Sequence, residues 1–212
     1  SSRRRHTRFR NVTGVQTCAL PISLRFLKPG GKVIPASLTL SACPVVSNRL
    51  QKEIDVWDRA SFGLQLDEAR EVSLNNMYVK NVIIRDLIAA NDAIRQYDAI
   101  NFSRKNNSIR RAEIEWKCRS EQCIEGIALW WDALLAPGIT LSTSPHEPLT
   151  HWEQIYLPFL RPLTVPSGGK LRLDLHSDTR YSVKVNLVWK TRVFDANGTL
   201  IAEQEQDMRK GW

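Results

Sequence analysis

No apolar run in this 212-residue chain approaches the roughly 20 residues that a membrane-spanning helix needs, so a helical membrane span is excluded. Cysteine is scarce and irregularly placed, at Cys18, Cys43, Cys118 and Cys123. Four residues separate Cys118 from Cys123, too many for a C-x-x-C redox or zinc motif. The expectation is buried or half-buried thiols in a reducing, cytoplasmic compartment. There is no P-loop and no nucleophile elbow. Gly30-Gly31 and Gly168-Gly169 are not embedded in a phosphate-binding fingerprint and read as turn glycines. Internal repeats and low-complexity segments are lacking as well.

Acidic residues are missing from the first 23 positions, which carry Arg3, Arg4, Arg5, Arg8 and Arg10. The whole chain has a formal charge of +8, and setting those five arginines aside leaves only +3. The remainder is nearly balanced, so its charge does not point to a nucleic-acid surface. The tail itself shows no helical or strand period. It reads as a basic arm, as an Arg-rich targeting peptide, or as a non-native segment. The third reading fits the abrupt change of composition at about Leu24. The string resembles the translation of sequencing-adapter DNA joined to a truncated gene, and residues 1–23 are set aside on that reading. The sequon at Asn11 falls with them.

Apolar residues make up 42% and charged residues 25%, the balance of a globular chain long enough to bury a core without staples. Arg25 to Gly31 reads as a helix end stopped by Pro29 and two glycines. Lys32 to Val46 is strand-like, with Pro35 and Pro44 expected to break it. A chain that passes from a helix end straight into a strand looks cut. From Lys52 to about Asn76 the spacing of Ile54, Trp57, Leu64, Leu66, Ala69 and Val72 predicts two short amphipathic helices around Gly63. Their apolar face must either cap the sheet of the same chain or protrude onto a second subunit. After Met77 the pattern turns to strands. Arg110–Arg119, Lys170–His176 and Tyr181–Lys190 alternate, and Cys123–Leu135 is one long apolar run. Asn197-Gly198 predicts a two-residue type I′ hairpin turn. The fold class expected is mainly β: an antiparallel β-barrel or sandwich with an inserted helical arm.

Candidate chemistry is thin. His146 and His151 are five apart with Pro148 between them, which defeats the i, i+4 zinc pattern of a helix. Glu113 and Glu115 read as a solvated strand edge, and His176 as surface. The segment Ser142 to Trp152, S-T-S-P-H-E-P-L-T-H-W, is polar, turn-rich and placed between two β regions. It is either a connecting loop whose Trp152 starts the next strand in the core, or a pocket wall. In the second case the indole face meets a planar cation and His151 holds a carboxylate.

That segment, with its S-T-S-P lead-in, resembles the Thr-His-Trp loop of the protein arginine methyltransferases. R-F-L-K-P-G-G-K-V-I-P at Arg25–Pro35 is similar to the end of that family's cofactor domain, and Val56-Trp57-Asp58 to Phe62-Gly63 to the start of its dimerisation arm. The resemblance spans about residues 24–212. It implies transfer of a methyl group from S-adenosylmethionine to a protein or peptide arginine, and a ring-like homodimer. It implies residues 24–35 as the end of a Rossmann-type cofactor domain and 36–212 as a barrel whose arm lies at about 52–76. Thr150, His151 and Trp152 would line the arginine pocket, with His151 pairing a carboxylate from an N-terminal helix. Trp57, Phe62, Leu64 and Leu66 would belong to the arm. In the family the glycine-rich cofactor loop and the loop with two glutamates lie upstream, and neither is among these residues. The chain is therefore expected to bind no cofactor or metal, to be inactive alone, to expose apolar surface and to be poorly soluble. No nucleic-acid or membrane partner is expected. The rival reading is a free-standing β-sandwich that binds a peptide or glycan through the loop near Trp152.

Overall fold

Alternation in the sequence becomes strand pairing in the computed structural model, which describes residues 27–57, 63–89, 93–180 and 185–211. Ten strands and two helices follow in chain order: β1 (Ser37–Val45), α1 (Arg49–Ile54), α2 (Asp67–Leu74), β2 (Tyr78–Lys80), β3 (Arg95–Asn101), β4 (Ile109–Lys117), β5 (Gln122–Ala136), β6 (Ile139–Ser142), β7 (Gln154–Val165), β8 (Lys170–Asp178), β9 (Asn186–Phe194) and β10 (Leu200–Asp207). They build two antiparallel sheets. The first runs β2-β7-β5-β1-β3 with β6 added to β5, and the second β10-β9-β8-β4.

β5 is the spine because both of its faces are buried. Ile127 and Leu129 point between the sheets, where they meet Ile114, Trp116, Leu171, Leu173, Trp189 and Val193. Ala128 and Trp130 point the other way, to Leu50 and Ile54 of α1 and Leu74 of α2. An all-apolar strand such as this belongs where it is covered twice. Gly126 sits in it because a Cβ there would lie 2.5 Å from the Leu157 carbonyl oxygen. The outer face of the second sheet is ionic. Glu115 pairs with Lys170 at 3.0 Å and Arg172 at 3.2 Å, so the carboxylate row read as a solvated edge is ion-paired to the neighbouring strand.

Hydrogen-bonded ladders do not join the two sheets among the described residues, so side chains close both seams. At one seam Arg110 of β4 forks onto the Asp98 carboxylate of β3 and donates to the Ala99 carbonyl at 2.8 Å. At the other, Gln204 Oε1 of β10 accepts from Leu160 N at 3.0 Å, and its Nε2 donates to the Arg161 carbonyl at 3.1 Å. Trp189 and Gln206 both donate to the Pro158 carbonyl, at 3.2 and 3.1 Å.

Three expectations change, and one of the two readings left open for the helical segment is seen. Pro44 does not break β1. The pairing with β3 stops at Ala42, so the missing N–H of Pro44 costs no ladder bond on that side. The hairpin before β10 is not a two-residue type I′ turn. It spans Asp195–Gly198, with Gly198 alone at φ 84°, because Asp195 Oδ1 accepts from Asn197 N at 2.9 Å and Thr199 N at 2.8 Å. The helical segment caps its own sheet at Leu50, Ile54 and Leu74, although Leu64 between the helices remains 67% exposed. Cys43 and Cys118 are buried but Cys123 is exposed, at a position where β5 begins on the surface. Burial pushes the Cys43 thiol up to about 12.

Two predictions follow from the seams and from α1. Arg110 and Asp98 are each under a fifth exposed, and removing one partner strands the other. Arg110→Ala and Asp98→Ala should each cost about 2 kcal/mol, and the double variant less than their sum, in urea titrations. Asp86 is 1% exposed and accepts from Arg49 Nη2 at 2.5 Å and from Ile83 N at 3.1 Å. Burial alone would raise its carboxyl, but the Arg49 fork and the Ile83 N–H outweigh it and hold the group low. A depressed carboxyl gives stability that is present above its unfolded value of about 3.9 and lost as pH falls through the folded one. The urea midpoint should fall below about pH 4, and less steeply in Asp86→Asn.

Candidate substrate-side site

The loop between β6 and β7 is fixed at both ends by side chains that the chain buries. Thr143 is 1% exposed. Its Oγ1 donates to the Trp131 carbonyl at 2.9 Å and accepts from Trp131 N at 3.1 Å. Gln154, 3% exposed, donates from Nε2 to the Thr143 carbonyl at 2.8 Å. Its Oε1 accepts from Val82 N at 2.8 Å, which ties the loop to the segment after β2. Within the loop Ser144 N donates to Ser142 Oγ at 3.0 Å and His146 N to Ser144 Oγ at 3.2 Å.

Thr150, His151 and Trp152 form one turn, closed by Glu153 N donating to the Thr150 carbonyl at 3.4 Å. Glu153 has φ 54°, a left-handed conformation uncommon for a residue with a side chain. Trp152 does not enter the core. It is 41% exposed and stands edge-on to Trp131, ring centres 5.7 Å apart at 67°. The His151 ring is exposed and lies 6.4 Å from Trp152 at 84°. Thr150 Oγ1 is buried and has no hydrogen-bond partner among the described residues. The turn therefore presents an imidazole and an indole to solvent, while the Thr150 hydroxyl beside them is buried and without a partner among the described residues.

Behind Trp152 the two sheets leave a cavity of about 90 Å³. Tyr97, Trp131, Trp152, Glu153 and the Asp98–Arg110 pair are among its lining residues, with aliphatic side chains deeper in. Tyr97 is the bulged residue of β3, since Leu40 faces Asp98 while Ser41 faces Gln96. Burial, and then the neighbouring Asp98, push its phenol up. Among the described residues no three His, Cys, Asp or Glu side chains gather to hold a metal.

The arm residues expected from the resemblance are Trp57, Phe62, Leu64 and Leu66. Trp57 is half-buried, and its indole N–H is buried without a partner among the described residues. Leu64 is exposed and Leu66 half-buried. Phe62 lies outside the described residues. Sequence reasoning did not single out Thr143, Gln154 or Glu153. Gln154 looks like an ordinary polar residue at a strand start, and only its two partners reveal its role.

Residues 36–192 match the family model described as the arginine methyltransferase oligomerization subdomain. The chain belongs to the protein arginine methyltransferase family. It is 26% identical over 192 residues to the histone-arginine methyltransferase CARMER of Anopheles gambiae, covering 83% of this chain and 31% of that protein. The Culex quinquefasciatus CARMER is 24% identical, with 83% of this chain and 32% of that one covered. The chain thus spans about a third of the length of these relatives. The Trypanosoma brucei PRMT1 enzyme–prozyme heterotetrameric complex with AdoHcy aligns at TM-score 0.67 and 19% identity, over 85% of this chain and 58% of that one. Arabidopsis thaliana protein arginine methyltransferase 10 aligns at TM-score 0.68 and 17% identity, over 92% and 66%. At such identity the structural likeness is one of fold, and it bears out the mainly antiparallel β architecture.

Gln154 and Trp152 should behave in opposite ways. Gln154→Ala leaves a buried carbonyl and a buried N–H unpaired and should cost about 2–3 kcal/mol in denaturant unfolding. Trp152→Ala removes an exposed ring and should cost less than about 1 kcal/mol, while altering the near-ultraviolet dichroism of Trp131.

Proposed function

We propose that this chain supplies the barrel, the substrate-side loop and the dimerisation arm of an S-adenosylmethionine-dependent protein arginine N-methyltransferase that works in the cytoplasm. It does not transfer methyl on its own. The observation that carries this is the outward Thr150-His151-Trp152 turn, braced on Trp131 in a chain of this family. In the complete site Trp152 is the apolar wall beside the guanidinium of a protein or peptide arginine. His151 holds a carboxylate from a preceding helix, and the free Thr150 hydroxyl completes the lining.

The described residues do not fit the methyl donor itself. Every ladder is antiparallel, the two helices have six and eight residues, and none of them follows a glycine-rich turn at a strand end. The donor and the groups that activate the guanidinium therefore belong to other residues, and no chemical step is assigned to this chain. Its part is to position the substrate, which is worth a large share of a barrier when two reactants must meet in line.

Residues 24–35 are proposed as the end of the cofactor domain, 36–212 as the barrel, and 1–23 as non-native. Ile34 is 67% exposed and Ile139 57% exposed, which suits a face that another domain covers. Leu64, also 67% exposed, and the half-buried Trp57 and Leu66 suit an arm that docks on a second copy. The relative from Trypanosoma brucei was solved as a heterotetrameric complex, which supports assembly as part of the role.

The test is methyl transfer from labelled S-adenosylmethionine to an arginine-containing peptide. The 212-residue chain should transfer nothing, while a longer protein in which a cofactor domain precedes it should be active. In that protein Trp152→Ala and His151→Ala should each lower kcat/KM by at least about tenfold. Transfer by the chain alone, or an active longer protein indifferent to both substitutions, would overturn the proposal.

A further inference from the structure

One guanidinium holds the root of the arm. α1 ends at Ile54 and α2 begins at Asp67, and the arm residues Trp57, Leu64 and Leu66 lie between them. Arg70 of α2 donates from Nε to the two Asp55 carboxylate oxygens at 3.0 and 2.9 Å. Its Nη2 lies 2.7 Å from Asp55 Oδ2 and donates to the Leu160 carbonyl at 2.8 Å. The residue that leads into the arm is thus tied to the helix that follows it, and both are tied to β7.

Leu160 is a fixed point of the barrel. Ile124 of β5 pairs with Leu163 and Gly126 with Pro158, so residues 159–162 bulge out of β7. Gln51 of α1 is 7% exposed and donates to the Phe159 carbonyl at 3.0 Å. From the second sheet Gln204 accepts from Leu160 N and donates to the Arg161 carbonyl. Both helices at the arm's root therefore rest on one bulge that β10 holds in place.

Stability does not account for this arrangement. The Arg70 and Asp55 side chains are 31% and 16% exposed, and ion pairs open to water add little to folding. A forked guanidinium with several acceptors does something else, because it holds one geometry. α2 needs such a tie. Its one buried residue is Leu74, at the end away from the arm, while Asp67 and Glu68 of its first turn are exposed. We propose that Arg70, paired with Asp55 and seated on the Leu160 carbonyl, is the positioning residue that sets the direction in which the arm meets a second copy. The inference rests on the reading above that the arm docks there. A segment oriented before docking loses less freedom on association, so the tie acts on the dimer more than on the fold.

The test is the dimer dissociation constant, measured by sedimentation, of the longer protein in which a cofactor domain precedes this chain. Arg70→Ala and Asp55→Ala should each raise it at least about tenfold. The double variant should raise it no further than Arg70→Ala, because both substitutions break one tie. Arg70→Lys keeps the charge without the fork and should weaken the dimer as well. Arg192→Ala, which breaks ion pairs to Asp174 and Glu203 on the outer face of the second sheet, should leave it unchanged. In the 212-residue chain the urea midpoints of the Arg70 and Asp55 variants should stay close to the parent value. Hydrogen exchange should quicken at the Arg70 amide, which donates to the Leu66 carbonyl at 2.9 Å. An unchanged dimer in Arg70→Ala, full retention in Arg70→Lys, or a urea midpoint that falls in step with the dimer overturns the inference while the docking reading stands. A parent protein that stays monomeric overturns the docking reading and this inference with it.

Discussion

Two twisted sheets packed face to face leave four edges, and in this chain no ladder joins one sheet to the other among the described residues. The structure depends on how those edges are closed. A pair of open seams would expose unpaired backbone groups and let water into an apolar core. Here each seam is closed by side chains whose geometry demands good alignment. Arg110 reaches across one seam to both oxygens of Asp98, and glutamine amides and an indole N–H reach across the other. Such bonds act over one geometry only, so they fix the distance and slide between the sheets as well as excluding solvent.

The same constraint shapes the cavity. Where Arg110 and Asp98 hold β3 and β4 together, the sheets stand apart enough for an opening that aliphatic side chains line but do not fill. The bulge at Tyr97 adds an extra residue to β3 at that level and turns its ring inward. Seam and cavity are thus one feature, since the ion pair that closes the edge is also the cavity's wall.

Much of this architecture was legible in the chain. The alternation of Lys170–His176 and of Arg110–Arg119 gave β8 and β4 their buried faces, because period two leaves no other solution for Leu171, Leu173, Ile114 and Trp116. Of the two helices expected between Lys52 and Asn76, α2 lies within those bounds, while α1 begins before them at Arg49 and ends before Trp57. What could not be read was any bond between distant residues. The Asn-Gly pair predicts a tight turn, but Asp195, two residues earlier, captured the backbone first and made a wider one. Pro44 reads as a breaker until the end of β3 pairing is known. In the site, the sequence pattern marked only the segment Ser142 to Trp152, and the family resemblance picked out Thr150, His151 and Trp152 within it. The pattern left open whether Trp152 faced the core, because Gln154 and Thr143 decide that, and their partners are 11 and 12 residues away.

Those two residues explain how an exposed indole can be a reliable contact surface. A tryptophan on a free loop would lose much of any binding energy to the entropy of ordering it. Trp152 is two residues from Gln154, whose amide is bonded at both ends, and it leans on Trp131, whose own backbone is bonded to Thr143. The ring is therefore placed by the barrel before any ligand arrives. Left-handed backbone at Glu153 costs about 1 kcal/mol or more, and the flanking bonds offset that cost. A strained residue persists only where its neighbours over-determine it. The neighbours here determine the direction in which the Thr-His-Trp turn faces, so the rigidity of the loop and its outward presentation have the same cause.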